Sequence, residues 1–418
     1  MTWAGGDIVH VVERTRGGVA THVAELMTLQ RASGRWGRVV LIADPRFLEP
    51  ELLAAADVVL PYRSTRSPSE LFSSTREVQN LIAEVAPAVV HLHSSFPGVY
   101  GRLLAADDAE APAIVYCPHG WAFEMECSKA KRTFYAWAER RLAHEADVIV
   151  SVSEHERQAA IDAGVRHDGH LTIRHGAPEA SPGASVDLGA DVINLLFVGR
   201  FDRQKGLDLL LDGLAQSRRK DIRLHLIGDG DRKDGASRQD DPRVIEHGWI
   251  AHDALDSWYR AADAVVMPSR WEGFGLVAIE AMRNGTPVLA SRCGALPEVV
   301  NDAGLLFDPK DPAAIAAMID SLSLDDLREM GALALNRYNS TFTAERAAAE
   351  LESAYDLALE RRLRRKVKQA QFDRYEAGRP RRSPGEGLSD GASKSHHRRR
   401  AEMRHLLPLS MASRSSGR

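Results

Sequence analysis

The chain has 418 residues, 44% hydrophobic and 27% charged, a soluble globular balance too long for one ordinary core and suited to two domains. Residues 361–418 carry 17 Lys and Arg against 5 Asp and Glu, so a tail of charge +12 follows a body of charge −16 within a net −4. Three cysteines with no C-x-x-C pair argue against a disulfide framework or zinc finger, no secretory leader opens the chain, and no apolar run reaches the ~20 residues of a membrane-spanning helix.

In chain order, short β-branched runs alternate with longer helical patterns, which predicts βαβ units and parallel sheets. Strands are expected at 8–12, 39–43, 58–60, 89–93, 114–117, 148–152 and 171–174, with helices at 19–31, 69–86 and 130–144. The Pro-, Gly- and Ser-rich stretch 178–191 reads as a linker. A second series follows, with strands at 194–198, 223–227, 244–247, 264–267, 287–290 and 305–307 and helices at 207–217, 276–284 and 312–322. Helical spacing returns over 344–371, and beyond Gly378 an aperiodic Arg- and Ser-rich segment predicts disorder. The expected organisation is therefore a first domain over 1–180, a linker over 181–192, a second domain over 193–345, a C-terminal helix over 346–371 and a basic tail over 372–418. The fold class is α/β, two Rossmann-like doubly wound domains facing each other across a cleft, where ligands of such sheets bind.

The strongest motif is Glu272-Gly-Phe-Gly-Leu-Val-Ala-Ile-Glu280, placed after a strand end and running into a helix that starts near Gly275. Amide groups at a helix start are unsatisfied and partly positive, so this turn suits a phosphate, and glycines at 273 and 275 let the ligand come close. Glu280 sits among apolar neighbours, and a carboxylate in such surroundings implies an employed group. The two carboxylates are expected roughly 8–12 Å apart, one for a sugar and one for a ribose. A second motif places Arg200 and Lys205 in the loop after the strand ending at Val198. A guanidinium fork and a compact ammonium there would offset the charge of a departing diphosphate.

Together the segments 198–206, 226–230 and 268–280 resemble the donor-binding half of family 4 of the retaining glycosyltransferases, which have the GT-B fold and carry the Glu-x7-Glu motif. The resemblance covers roughly residues 7–345. It implies that Arg200 and Lys205 contact the donor diphosphate, that Glu280 holds the ribose and that Glu272 faces the transferred sugar. It further implies that the amides of Phe274, Gly275 and Leu276 touch sugar and phosphate, and that the nucleobase lies along 247–250, ending at Ile250. In the first domain Gly17 and Gly18 resemble the family's glycine loop near the phosphates, and His119 matches a histidine that contacts the sugar.

His91 and His93 project to the same side of a strand end, but no third ligand stands at a recognisable spacing; packing or acceptor contact is expected there, and no metal site. Glu154 reads as a helix N-terminal charge. Basic and aromatic residues alternate over 130–144, which suits a helix resting on anionic lipid or one packed on its own domain, and Arg398–Arg400 suit polyanions.

The expected activity is transfer of a sugar, with retention, from a UDP- or GDP-sugar to a glycan or polyprenyl-linked acceptor in bacterial surface polysaccharide synthesis. No cofactor, metal or nucleic acid is expected, and the expected location is cytoplasmic, peripheral to the membrane. The alternatives are a non-catalytic nucleotide-sugar-binding partner, or a glycoside hydrolase or phosphorylase using Glu272 and Glu280. A nucleotide-sugar epimerase leaves the paired glutamates unexplained, and a dehydrogenase lacks its G-x-G-x-x-G.

Overall fold

A computed structural model of the chain describes residues 5–13, 17–64, 68–103, 111–230, 241–308 and 310–377. The tail expected to be disordered, with Arg398–Arg400, lies outside the described residues beyond Ala377.

The first series of strands is β1 (Ile8–Val12), β2 (Val39–Ala43), β3 (Val58–Pro61), β4 (Val89–His93), β5 (Ala113–Cys117), β6 (Val148–Ser151) and β7 (His170–Thr172). They form one parallel sheet in the order β3-β2-β1-β4-β5-β6-β7. The second series is β8 (Ile193–Val198), β9 (Ile222–Ile227), β10 (Val244–Gly248), β11 (Ala264–Met267), β12 (Val288–Ser291) and β13 (Gly304–Phe307), in the order β10-β9-β8-β11-β12-β13. Each order reverses direction once, between β1 and β4 and between β8 and β11, and at such a switch point the loops part and leave a crevice. The sequence expectations place all thirteen strands of the described residues to within two residues at either end. They miss several helices, the longest being Leu324–Thr341, whose apolar stripe is interrupted by Gly331 and Asn336.

The central strands β1, β4 and β5 are buried along their whole lengths, as expected for a sheet covered on both faces. Val9, Val11, Val90, Leu92, Ile114 and Tyr116 face one apolar layer. The alternating residues Ile8, Val12, Val89, Val115 and Cys117 face the other. Each aliphatic side chain so buried contributes about 1.5–3 kcal/mol of transfer free energy. Three histidines, His10, His91 and His93, interrupt this second face, with His10 opposite His91 in the β1–β4 register.

Residues 178–192 carry no helix or strand and are tied to the second half: the Ser181 amide donates to Asp256 (2.8 Å) and the Val186 amide to the Ser257 carbonyl (3.2 Å). The chain crosses back beside its first crossing, with Ala177 bridged to Thr343 and Tyr338 Oη donating to the Ala177 carbonyl at 2.9 Å. The helix Ala344–Ala377 then returns to the first sheet. Its Tyr355 is fully buried against His91, and Arg362 pairs with the buried Asp147 at 2.9 Å.

Candidate active site

The loop between β8 and the helix Leu207–Gln216 is fastened to the loop after β11. Gly206 has φ +69°, and a Cβ there would stand 2.0 Å from the Pro268 carbonyl oxygen, so only glycine lets the two loops approach. The Arg270 amide donates to the Gln204 carbonyl (2.8 Å), and Gln204 Nε2 donates to the Trp271 carbonyl (3.3 Å). Arg270 closes the joint by gripping both oxygens of Asp208 at 2.8 and 2.6 Å. Between the fastened loops Lys205 Nζ donates to Glu272 Oε2 at 2.7 Å, with side chains only 19% and 10% exposed. Ser269 Oγ donates to the same oxygen at 3.3 Å.

Arg200 stands apart. Its side chain is 63% exposed and reaches Asp202 at 3.1 Å and Gln204 at 3.0 Å, and no contact joins it to either glutamate. Asp202 also accepts the Lys205 amide at 3.0 Å, which gives the loop its turn.

The helix Leu276–Arg283 begins at Gly275, whose φ of +98° and lack of a side-chain cap leave the first amides to an external acceptor. Glu280, one turn in, is 7% exposed and accepts the Tyr259 hydroxyl at 2.8 Å. Burial, then the charge of Glu280, pushes the Tyr259 phenol well above its ordinary range. Glu25, from the first half, also feels this carboxylate. Burial first and Glu280 second push Glu25 up to about 8, against the pull of Arg283. Ile250, half-buried after β10, packs on the core, and its chain neighbour Trp249 is exposed.

From the first half, Gly17 (φ +83°) starts the helix Gly18–Ser33, and a Cβ on Gly18 would meet Leu276 Cδ1 at 2.8 Å. Likewise a Cβ on Gly273 would stand 3.1 Å from the His119 carbonyl oxygen. The glycine loop, the His119-Gly120 turn and the 273–276 turn therefore meet at one place, although more than 100 residues of sequence separate each from the next. Phe274 is buried and sets its ring edge-on to His175 at 5.1 Å.

His119 has φ +53°, and its turn is held from behind by Glu156, which accepts the amides of Gly120 and Val152. Burial pushes Glu156 up to about 8 against those two bonds. Both ring nitrogens of His119 are engaged, Nε2 with His93 Nδ1 at 2.9 Å and Nδ1 with His175 Nε2 at 3.2 Å. The chain continues from His93 Nε2 to His10 Nδ1 (3.0 Å) and from His10 Nε2 to Gln30 Oε1 (2.8 Å). That amide oxygen only accepts, so His10 carries its proton on Nε2, and with neutral rings His93, His119 and His175 each do the same. Burial depresses every imidazole in the row, His10 to about 4 and the other three well below the ordinary range, which keeps the rings neutral.

This corrects one sequence expectation: a third imidazole does stand with His91 and His93. It is His10, supplied by the neighbouring strand, so sequence spacing could not reveal it. Tyr259, Ser269, Glu25, Glu156 and His175 also escaped sequence reading. A buried position in a loop or helix carries no local signal for them, except that Glu156 follows the helix cap Ser153 by three residues.

Residues 193–325 match the family model for Glycosyl transferases group 1, and residues 17–176 match that for the Glycosyl transferase 4-like domain. The chain is similar to an uncharacterised 41.2 kDa protein in the cps region of Klebsiella pneumoniae, 30% identical over 329 residues that span 75% of this chain and 89% of that one. It is 32% identical over 309 residues to a D-inositol 3-phosphate glycosyltransferase of Corynebacterium diphtheriae, covering 64% of this chain and 70% of that one. Among solved structures, sucrose-phosphate synthase from Thermosynechococcus elongatus superposes with a TM-score of 0.71 at 26% identity, over 84% of this chain and 98% of that one.

Proposed function

The chain belongs to the group 1 glycosyl transferases, nucleotide-sugar-dependent retaining enzymes of the GT-B fold, and from that premise we propose that it moves a hexose from a UDP- or GDP-sugar onto a glycan or polyprenyl-linked acceptor. The observation that carries the site assignment is the Lys205–Glu272 pair beside the uncapped start of the helix Leu276–Arg283.

In this reading the donor diphosphate lies on the amides of Gly275 and Leu276 and draws the Lys205 ammonium from Glu272 to itself. Glu272 is then free to accept hydroxyl hydrogens of the sugar, while Glu280 holds the ribose and the stretch ending at Ile250 borders the base. Gly17 and Gly18 let the phosphates approach from the other side. Arg200 swings from Asp202 onto the diphosphate as the loop closes; it is a mobile clamp where Lys205 is a fixed one. The His119-Gly120 turn borders the sugar. Contact through the His119 ring itself requires His93 or His175 to release a nitrogen.

The acceptor hydroxyl attacks the anomeric carbon from the face that the diphosphate leaves, and a leaving phosphate oxygen takes its proton. Configuration is retained without an enzymic nucleophile. Charge building on the diphosphate is met by Lys205, Arg200 and the helix start. The protein's own cations thus serve where a divalent ion otherwise would, and donor turnover is expected to persist with a chelator present.

The cps-region relative supports a place in surface polysaccharide synthesis. No helix among the described residues is long and apolar enough to cross a membrane. The helix Lys129–Leu142 supports a peripheral one: Phe134 and Trp137 stack at 5.9 Å and remain 51% and 45% exposed, beside Lys131, Arg132 and Arg141.

The test is to offer UDP- and GDP-sugars with and without lipid-linked acceptor and to follow nucleotide release. Acceptor-dependent release of UDP or GDP is expected. Donor binding without acceptor-dependent release identifies a non-catalytic partner, and cleavage of a simple glycoside without nucleotide identifies a hydrolase; either outcome removes the proposal.

A further inference from the structure

The second face of the first sheet buries three imidazoles where its neighbours are aliphatic. His10, His91 and His93 are at most 1% exposed, and one nitrogen from each lies within 4.8 Å of the others. Every remaining nitrogen of the three is held by a different partner: His10 Nε2 by Gln30, His91 Nδ1 by the Tyr355 hydroxyl at 2.8 Å, and His93 Nδ1 by His119. His91 Nε2 is buried and has no hydrogen-bond partner at all. Left so, it costs the protein about 1–3 kcal/mol. His10 Nδ1 and His93 Nε2 share a hydrogen bond at 3.0 Å, His91 Nε2 has no partner, and the other nitrogen of each ring is anchored outside the cluster.

We propose that His10, His91 and His93 bind a divalent transition-metal ion of the zinc type, each through one imidazole nitrogen. Three neutral imidazoles suit such an ion, and an outer partner on each ring is what fixes metal-bound histidines in place. A tetrahedral ion about 2.0–2.1 Å from its ligands sets nitrogens roughly 3.3 Å apart, close to the 3.0 Å between His10 Nδ1 and His93 Nε2. The ion replaces the proton shared by that pair. His93 then carries its hydrogen on Nδ1 and donates to His119, which reverses the direction of donation along the row to His175. The fourth position takes water, and release of one of its protons to bulk solvent leaves hydroxide on the ion and lowers the buried charge to +1.

The site is distinct from the diphosphate turn, and its test does not depend on turnover. The full chain, purified without a polyhistidine tag and stripped with chelator, is titrated with Co2+ as a spectroscopic stand-in for zinc. One equivalent is expected to saturate a visible d–d absorption of tetrahedral type, Zn2+ to bleach it, and either ion to raise the melting temperature. His91→Gln is expected to abolish the band. Should that variant not fold, Tyr355→Phe keeps all three ligands, removes one outer partner and is expected to weaken cobalt binding 10–100-fold. The absence of a saturable band in the wild-type chain overturns the proposal. A band of undiminished affinity in the folded variants does so too, because the ion then sits elsewhere.

Discussion

Lys205 and Glu272 face each other at 2.7 Å, from loops that the fold fastens together independently of either side chain. The Gly206–Pro268 contact and the Arg270–Asp208 grip set the distance, so the ion pair is a consequence of the loops and not their cause. A half-buried pair held in this way is poised to exchange partners. An incoming diphosphate presents more negative charge to the ammonium than one carboxylate does.

In the proposed function, replacing Lys205 with Ala removes a preorganised cation from the leaving group. Turnover is expected to fall 10²–10³-fold, about 2.7–4 kcal/mol of transition-state stabilisation. Steady-state nucleotide release measures it, and near-normal turnover refutes the role given to Lys205.

Tyr259→Phe deletes the hydroxyl that Glu280 accepts in a buried setting. A hydrogen bond to a buried charged group contributes about 1.5–3 kcal/mol, and a loss of that order is expected in chemical denaturation. Donor KM should rise more than kcat changes, because in the proposed function Glu280 holds the ribose and does not touch the reacting atoms. Unaltered stability and KM would show that Glu280 does not rely on Tyr259.

Glu25 makes stability depend on pH. Unfolded it titrates near 4.5, and folded it holds its proton up to about 8, so between these values the unfolded chain binds fewer protons than the native one. Native stability contributed by this group is full below pH 4.5 and is lost as pH rises toward 8. Glu25→Gln is expected to match the wild type near pH 4 and to exceed it by about 1–3 kcal/mol at pH 8. Melting curves across that range decide it; a constant offset at every pH contradicts the assignment.

Gly275→Ala and Gly18→Ala separate backbone strain from simple crowding. At Gly275 a Cβ meets Leu296 Cδ2 at 2.8 Å on a residue with φ +98°, so strain of about 1–2 kcal/mol adds to the clash. At Gly18 the obstacle is the end of the flexible Leu276 side chain, on an ordinary helical residue. Nucleotide-induced thermal shifts should shrink for both variants, and more for Gly275→Ala than for Gly18→Ala. Equal effects would contradict this account of the turn.

The fold was legible because buried parallel strands are continuous apolar runs and need no tertiary context to be seen. The Glu272–Glu280 segment was legible for a related reason: a charged residue inside an apolar helical stripe contradicts its surroundings, and here it has a phenol for a partner. The histidines show the limit. His91 and His93 lie two apart on one strand, but His10, His119 and His175 come from other elements, and only the order of strands in the sheet brings them together. Arg200 differs again. Its position after β8 is visible in the sequence, but its pairing with Asp202 depends on a loop turn made by the Lys205 amide.

The helix Ala344–Ala377 supplies Tyr355 and Arg362 to a sheet whose first strand begins at Ile8. As the ribosome releases the chain from its amino end, the early sheet must wait with Asp147 uncompensated and His91 lacking its phenol until nearly the last of the described residues have emerged. The amino-terminal half is therefore not a self-sufficient folding unit. Truncating the chain before Tyr355 should leave a product that chaperones retain and proteases clear, even though every residue of the 272–280 segment has already been synthesised.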